Sequence, residues 1–365
     1  MKITVAKNEI ADALKILMKA VAVKSETPIL SGIYLKASAS CLELQGTDNK
    51  VGIISKVPAN VEADGEVVIG GKKFFEVVQN LSGETVTVTA DDKNAEIKSA
   101  GSKFKLLVYK AEDYPKITQE ETLQKFTLRQ FTLKKLIKQT AFAADNSKEP
   151  SRPIFTGVLF NIEGDKIRLA ATNTHRLAVS SDTLTESVED LKFIVPAKIL
   201  QDISALLDTG KVEVGYSGKS VNFIFDNLYV SARLIAGDFP PVDRLLNEEK
   251  TIFAKVVREE FLKSLERVAV ISKETMYQTV DLHFEDVINI SSTSPDVGKA
   301  EENVVAVIEG GELDISFNYN YLIDALRATN AEKIQIGLSG ELKPIEIKPV
   351  DDDFFQYIVT PVRRN

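Results

Sequence analysis

Ala171-Thr172-Asn173-Thr174-His175-Arg176-Leu177-Ala178, near the middle of the chain, is the stretch whose reading decides the fold. Its local pattern recurs on both sides. Gly46-Thr47-Asp48 places Thr47 125 positions before Thr172, and Ser292-Thr293-Ser294 places Thr293 121 positions after it. A third of the 365 residues is about 122, so the stretch marks one of three equivalent points in a threefold repeat. Only the middle copy carries a His-Arg pair.

Working outward, each third runs through the same succession. A short strand (Ile3 to Val5; Phe126 to Leu128; Thr251 to Phe253) leads into a segment of helical period. That segment carries Ile10, Ala13, Leu14 and Leu17 in the first third, Leu133, Leu136, Ile137 and Thr140 in the second, and Phe261, Leu262, Leu265 and Val268 in the last. Strands follow at Ile29 to Leu35, Ile154 to Phe160 and Gln278 to Phe284, then at Leu42 to Gln45, Ile167 to Ala170 and Val287 to Ile290. The second half of each third repeats the scheme. A β-branched run (Val67 to Ile69; Phe193 to Val195; Asp314 to Phe317) opens a helix at Phe74, Ile199 or Tyr321. Alternating strands close it at Thr85 to Thr89, Lys211 to Gly215 and Lys333 to Gly337.

A unit of this length exceeds a solenoid repeat and suits a whole domain. Polar connectors set the expected boundaries, giving domains 1–121, 122–247 and 248–365. Each holds two helices and roughly eight strands, the helices packed on antiparallel sheets, which is an α+β architecture.

Composition narrows the function. The 44% hydrophobic and 27% charged content is that of a globular protein, and no apolar run reaches membrane-spanning length. The single Cys41 rules out an internal disulfide and suits a reducing cytoplasm. With His175 and His283 it makes no structural zinc site, and no cofactor is expected. A net charge of −8 argues against nucleic acid when taken alone. Basic residues are nevertheless clustered: Lys15 and Lys19, Lys72-Lys73, and Lys134, Lys135 and Lys138 punctuate helical segments at equivalent points of the repeat.

A catalytic reading of the opening stretch would make His175 a base for Thr172 or Thr174. No nucleophile elbow, phosphate loop or orienting carboxylate stands at motif spacing, and Gly70-Gly71-Lys72 lacks the rest of a Walker motif.

The segments Arg152-Pro153-Ile154-Phe155-Thr156-Gly157-Val158-Leu159, Ala171 to Ala178, Ser231 to Pro240 and Tyr357-Ile358-Val359-Thr360-Pro361-Val362-Arg363 together resemble the bacterial sliding-clamp family, the beta subunits of DNA polymerase III. The resemblance covers the full chain and implies a non-enzymatic processivity factor, a head-to-tail homodimeric ring of six similar domains. If two helices per domain line the ring, six helices leave a bore of only about 9 Å, whereas twelve leave roughly 28 Å. A duplex therefore needs two chains.

The resemblance also implies sites. Lys24, Lys148, Arg152 and Arg244 match direct DNA contacts, and Lys15, Lys19, Lys72, Lys73, Lys134, Lys135, Lys138, Lys198, Lys263 and Arg267 sit in or at the edges of the helices expected to line the ring and meet phosphates. Phe155, Thr172, Thr174, His175, Arg176, Leu177, Pro240, Leu245, Tyr321, Pro344, Ile358, Thr360, Pro361 and Val362 match a cleft where the replicative polymerase, the clamp loader, other polymerases and repair proteins insert short peptides. Phe104 and Leu106 match one side of the dimer interface; Val270 and Ile271, placed after the third domain's first helix, match the other. Asn173-Thr174 replaces a common Asp-Gly, and Thr360 a larger apolar residue. A monomeric peptide-binding scaffold and a His175-dependent hydrolase are the alternatives, and the oligomeric state separates the ring from the scaffold.

Overall fold

The computed structural model describes residues 1–22, 26–150, 152–273 and 278–363; Lys24, expected at the DNA, lies outside them. Its helices are α1 (Lys7–Leu17), α2 (Gly71–Asn80), α3 (Gln130–Thr140), α4 (Ala197–Ser204), the single turn α5 (Asp243–Leu246), α6 (Arg258–Ser272) and α7 (Tyr319–Ala328). The periodic apolar residues are their buried faces: Ile10, Ala13, Leu14 and Leu17 on α1, Leu133, Leu136 and Ile137 on α3, and Phe261, Leu262, Leu265 and Val268 on α6. α1 packs on α2, α3 on α4, and α6 on α7. The first helix of each pair lies on equivalent strands, 41–47 and 51–58, 157–172 and 176–196, or 288–294 and 298–304.

The chain folds as two compact units. The first, residues 1–129 with 209–234, holds one antiparallel sheet. Its strands run in the order 124–129, 211–216, 220–225, 228–233, 51–58, 41–47, 32–38, 65–70, 102–109, 94–99, 85–90, 2–6 and 60–63. The second unit, residues 130–208 with 235–365, holds two sheets. One runs 157–172, 176–196, 355–359, 345–349, 333–338, 252–257, 306–309; the other 298–304, 288–294, 279–284, 313–318.

Two expectations need correction. Ile29 to Leu35 and Ile154 to Phe160 do not begin as strands. Pro28–Ser31 and Pro153–Thr156 are single 3₁₀ turns, because a proline at the first position fixes φ near the helical value, and the strands start at Gly32 and Gly157. Val270 and Ile271 lie inside the last turn of α6, not after it, because the buried stripe continues through Val268, Ala269 and Ser272.

On strand 279–284, His283 Nδ1 lies 3.0 Å from Asp314, with Glu285 and Glu312 at 3.6 and 3.9 Å from Nε2. Partial desolvation disfavours the imidazolium, but the Asp314 hydrogen bond and the surrounding carboxylates outweigh it and hold the pKa above its ordinary value of 6.5. A raised folded pKa contributes stability that is complete below 6.5 and lost as pH rises through the folded value. The thermal midpoint of the wild type should therefore fall across that window relative to His283→Gln, in paired pH series of thermal unfolding. Parallel curves would remove the assignment.

Candidate functional site

The stretch 172–176 folds as a tight turn between two strands, and side chains close it. Thr172 Oγ1 donates to the Arg176 carbonyl (2.7 Å) and accepts from the Thr174 amide (3.2 Å). Asn173 Oδ1 accepts from the amides of His175 and Arg176, both at 3.1 Å. The same set recurs 125 positions earlier. Thr47 donates to the Val51 carbonyl and accepts from the Asn49 amide, while Asp48 accepts from Lys50 and Val51. The third copy departs, with Ser294 pairing to Gly298 across the turn.

Both matching turns need a residue at positive φ, +71° at Asn49 and +77° at Thr174. Asparagine tolerates that region; a β-branched threonine is strained there. Thr174→Gly removes about 1–2 kcal/mol of strain, offset by about 0.5–1 kcal/mol of unfolded-state entropy. A net gain of about 0.5 kcal/mol should appear as a higher urea midpoint at unchanged slope.

Past the turn, strand 176–180 pairs with 355–359, setting Arg176 against Val359 and Leu177 against Ile358. Leu177 and Ile358 belong to an apolar cluster with Leu159, Val179, Phe239 and Val242, on which Ile154, Ile235 and Leu246 also pack. The Thr360 amide and hydroxyl both donate to the His175 carbonyl, at 2.9 and 3.0 Å. The Val362 amide donates to the Ser316 carbonyl (2.8 Å). The terminal segment is thereby fastened beside the turn.

Arg176 is only 7% exposed and forms the core of the polar side. Its guanidinium donates to Asp324 (2.7 Å) and to the Phe142 carbonyl, and stands 4.7 Å from the Tyr321 ring centre and 5.5 Å from that of Phe142. The exposed His175 ring stacks on Tyr321 at 6.4 Å. The Tyr357 phenol, whose pKa burial pushes far up, donates to the Tyr321 carbonyl (2.9 Å). Arg176 is thus a buried support for Tyr321 and His175.

The structure therefore gathers Thr172, Thr174, His175, Arg176, Leu177, Tyr321, Ile358, Thr360 and Val362, with Pro361 between the last two. Half-buried Pro240 follows Phe239 of the cluster, and Leu245, 44% exposed, precedes Leu246. Phe155 follows Ile154, which packs on the cluster, and Pro344 precedes Ile345, which pairs with Val359 beside Ile358. The Phe155 carbonyl accepts from the Asp145 amide and its ring lies 5.9 Å from the Arg152 guanidinium; the Pro344 carbonyl accepts from Lys250.

Equivalent positions explain why only the middle turn has an apolar floor. Leu177 and its partner Ile358 correspond to Gly52 and its partner Ser231. A Cβ on Gly52 would meet the Ser231 hydroxyl at 2.9 Å and the Ile117 side chain at 3.1 Å, and the first turn borders a cavity of about 280 Å³ lined mostly by polar residues, with Pro115 and Ile117 in its wall. The Ile117 amide is held by the Gln45 side chain (2.8 Å) and the Tyr114 hydroxyl by the Gln45 carbonyl (3.1 Å).

Among the expected DNA contacts, Lys72, Lys148, Arg152 and Arg244 are exposed. Lys73 pairs with Glu76 (2.8 Å), an exposed pair of little energy, and the exposed Lys198 with the mostly covered Asp202 (3.4 Å). In the wider lining set, Lys263 pairs with Glu259, Arg267 holds Glu302 through two 2.6 Å bonds, and Lys135 holds Asp182 at 2.7 Å. Phe104 is 42% and Val270 60% exposed, whereas Leu106 and Ile271 are half-buried.

Sequence reasoning missed Phe239 and Val242 of the cluster, although Asp238-Phe239-Pro240-Pro241-Val242 echoes Asp113-Tyr114-Pro115-Lys116-Ile117 at the same 125-residue offset. It also missed Asp324 and Phe142, which lie 148 and 34 positions from Arg176 and carry no local signal.

Three family models match consecutive parts of the chain: the N-terminal domain of the DNA polymerase III beta subunit over residues 1–118, its central domain over 127–241 and its C-terminal domain over 243–363. A Bacillus subtilis protein named beta sliding clamp is 31% identical over 379 residues, with all of both chains covered. A Staphylococcus aureus protein of the same name is 29% identical, covering 100% of this chain and 99% of its own. The crystal structure of the Bacillus subtilis DNA polymerase sliding clamp superposes with a TM-score of 0.94 at 30% identity over all of both chains. That of the Thermotoga maritima DNA polymerase III beta subunit gives 0.92 at 27%, again over both whole chains.

Proposed function

The chain belongs to the DNA polymerase III beta subunit family, and from that premise we propose how it works. It is a DNA sliding clamp, a processivity factor and not a catalyst, that tethers the replicative polymerase to duplex DNA. It works as a head-to-tail dimer of three-domain chains, with domains 1–121, 122–247 and 248–365, in the cytoplasm.

One observation carries this reading. Strand 51–55 pairs with 228–232, and strand 176–180 pairs with 355–359, in equivalent registers. The third copy of the first strand, 298–304, is at the edge of its sheet, and residues 102–107 are laddered on one side only among the described residues. Those two open edges are the remaining halves of the same joint, and a second copy of the chain closes it. Carrying the register over sets Ala300 against Phe104 and Glu301 against Lys103 of the partner. Exposed Phe104 and Val270 then gain cover, α6 packing on strand 298–304 in the same protomer.

Inside the ring, exposed lysines and arginines meet phosphates without reading bases, so binding is sequence-independent and weakens steeply with salt. The cleft at Leu177 and Ile358 takes short peptides of polymerases, the clamp loader and repair proteins, with apolar anchors on its floor. Retention follows from topology. Protein loaded onto nicked circular DNA should stay bound through a high-salt wash and leave when the circle is linearised. Equal loss from both forms would refute encirclement.

A further inference from the structure

A cavity of about 530 Å³ opens beside α3, in the unit that also holds the cleft but lined by other residues. Five residues of one α3 face line it: Phe131, Lys134, Lys135, Lys138 and the buried Gln139, at the three- and four-residue spacing of a helical stripe whose exposed members besides Phe131 are lysines. The opposite side brings Ala328 and Ala331 at and beyond the end of α7, with Lys333 and Pro349.

Two features point to a ligand. Phe131 is 68% exposed beside those lysines, so its ring is available as a flat apolar surface. Lys134 and Lys138 donate to neutral oxygens, the Leu207 carbonyl at 2.7 Å and the Asn330 amide oxygen at 3.3 Å, and their charges stay uncompensated by those partners. Lys135 differs, its charge being matched by Asp182 at 2.7 Å. An aromatic face with adjacent cations is the chemistry that holds an unpaired base and its phosphate. Glu332, Asp351 and Asp352 also line the cavity and oppose the approach of phosphates from their side.

We propose that this cavity holds one unpaired nucleotide of single-stranded DNA, its base stacked on Phe131 and its phosphate on Lys134 and Lys138. The proposal rests on the DNA-threading reading for the origin of that strand. A clamp with such a site grips template ahead of the duplex, or a flipped nucleotide, differently from the paired strand.

The test is fluorescence anisotropy of the full chain with a labelled oligodeoxythymidylate and with a labelled blunt duplex. Phe131→Ala should weaken oligonucleotide binding by about tenfold, within the range of a lost base stack, and change duplex binding less than twofold. Phe131→Tyr should retain oligonucleotide binding, which separates stacking from misfolding. Lys134→Gln with Lys138→Gln should lower the salt dependence of oligonucleotide binding. Unchanged oligonucleotide affinity in Phe131→Ala, or equal weakening for duplex, would overturn the site. Free dTMP binding as tightly as the oligonucleotide would overturn the strand-borne assignment in favour of a free nucleotide. Retention of the wild type on circular DNA keeps the two readings apart: its failure sinks the clamp, whereas retained protein whose oligonucleotide affinity ignores Phe131→Ala sinks only this site.

Discussion

Phe104→Asp combined with Val270→Asp is expected to give a folded monomer that no longer stays on circular DNA. Phe104 is 42% and Val270 60% exposed in the single chain, so the two exchanges should cost folding only about 1 kcal/mol. At the joint between protomers the same carboxylates would be desolvated, beside Glu301 and Glu302 on the edge strand 298–304. Each buried and unpaired charge costs several kcal/mol there, and a ring has two such joints. Sedimentation should show a concentration-independent monomer, with the unfolding midpoint near wild type. A charge exchange tests the register itself. Glu301→Lys or Lys103→Glu alone should weaken the dimer, and the two together should restore much of it. A dimer indifferent to both single changes would mean that these strands do not meet.

The second large effect is expected at Arg176. Arg176→Ala removes the partner of Asp324, a donor to the Phe142 carbonyl and the cation between two rings. Breaking a buried pair costs about 3–5 kcal/mol, and the lower end applies here because the Asp324 side chain keeps 38% exposure. Tyr321 loses the group packed on its face, and His175 stacks on Tyr321, so peptide affinity should fall more than tenfold while the dimer persists. Arg176→Lys should rescue little, since an ammonium cannot serve the carboxylate, the carbonyl and both rings at once. Isothermal titration with a peptide from a polymerase partner decides it. Wild-type affinity in Arg176→Ala would mean the cleft does not depend on this support.

The repeat was readable because hydrophobic period and turn chemistry are local properties. The spacing of Ile10, Leu14 and Leu17, and the recurrence of Thr47 and Thr172, are written in consecutive residues and reappear as buried faces and side-chain-closed turns. Helix ends were less legible, as Val270 shows, because α6 continues for as long as its buried stripe does. Strands mistaken at Ile29 and Ile154 reflect apolar residues that proline had already committed to a helical turn. The cleft was half legible. Leu177 and Ile358 could be carried over from a resemblance, but the partners of Arg176 are fixed by tertiary packing between distant segments. So is the exchange of Leu177 and Ile358 for Gly52 and Ser231 at the first turn.

That exchange sets the valency of the assembly. In a ring of two chains there are six copies of the turn, but the first copy in each chain has Gly52 and Ser231 where the second has Leu177 and Ile358, and the third is built differently at Gly298. Two sockets remain, one per protomer. On the proposed function, two client peptides can be held at once and a third must wait for a vacancy. A peptide doubled through a linker long enough to span both sockets should gain affinity through effective concentration alone, by two to four orders of magnitude. The exchange of Leu177 and Ile358 for Gly52 and Ser231 thus makes a two-chain ring a bivalent receptor.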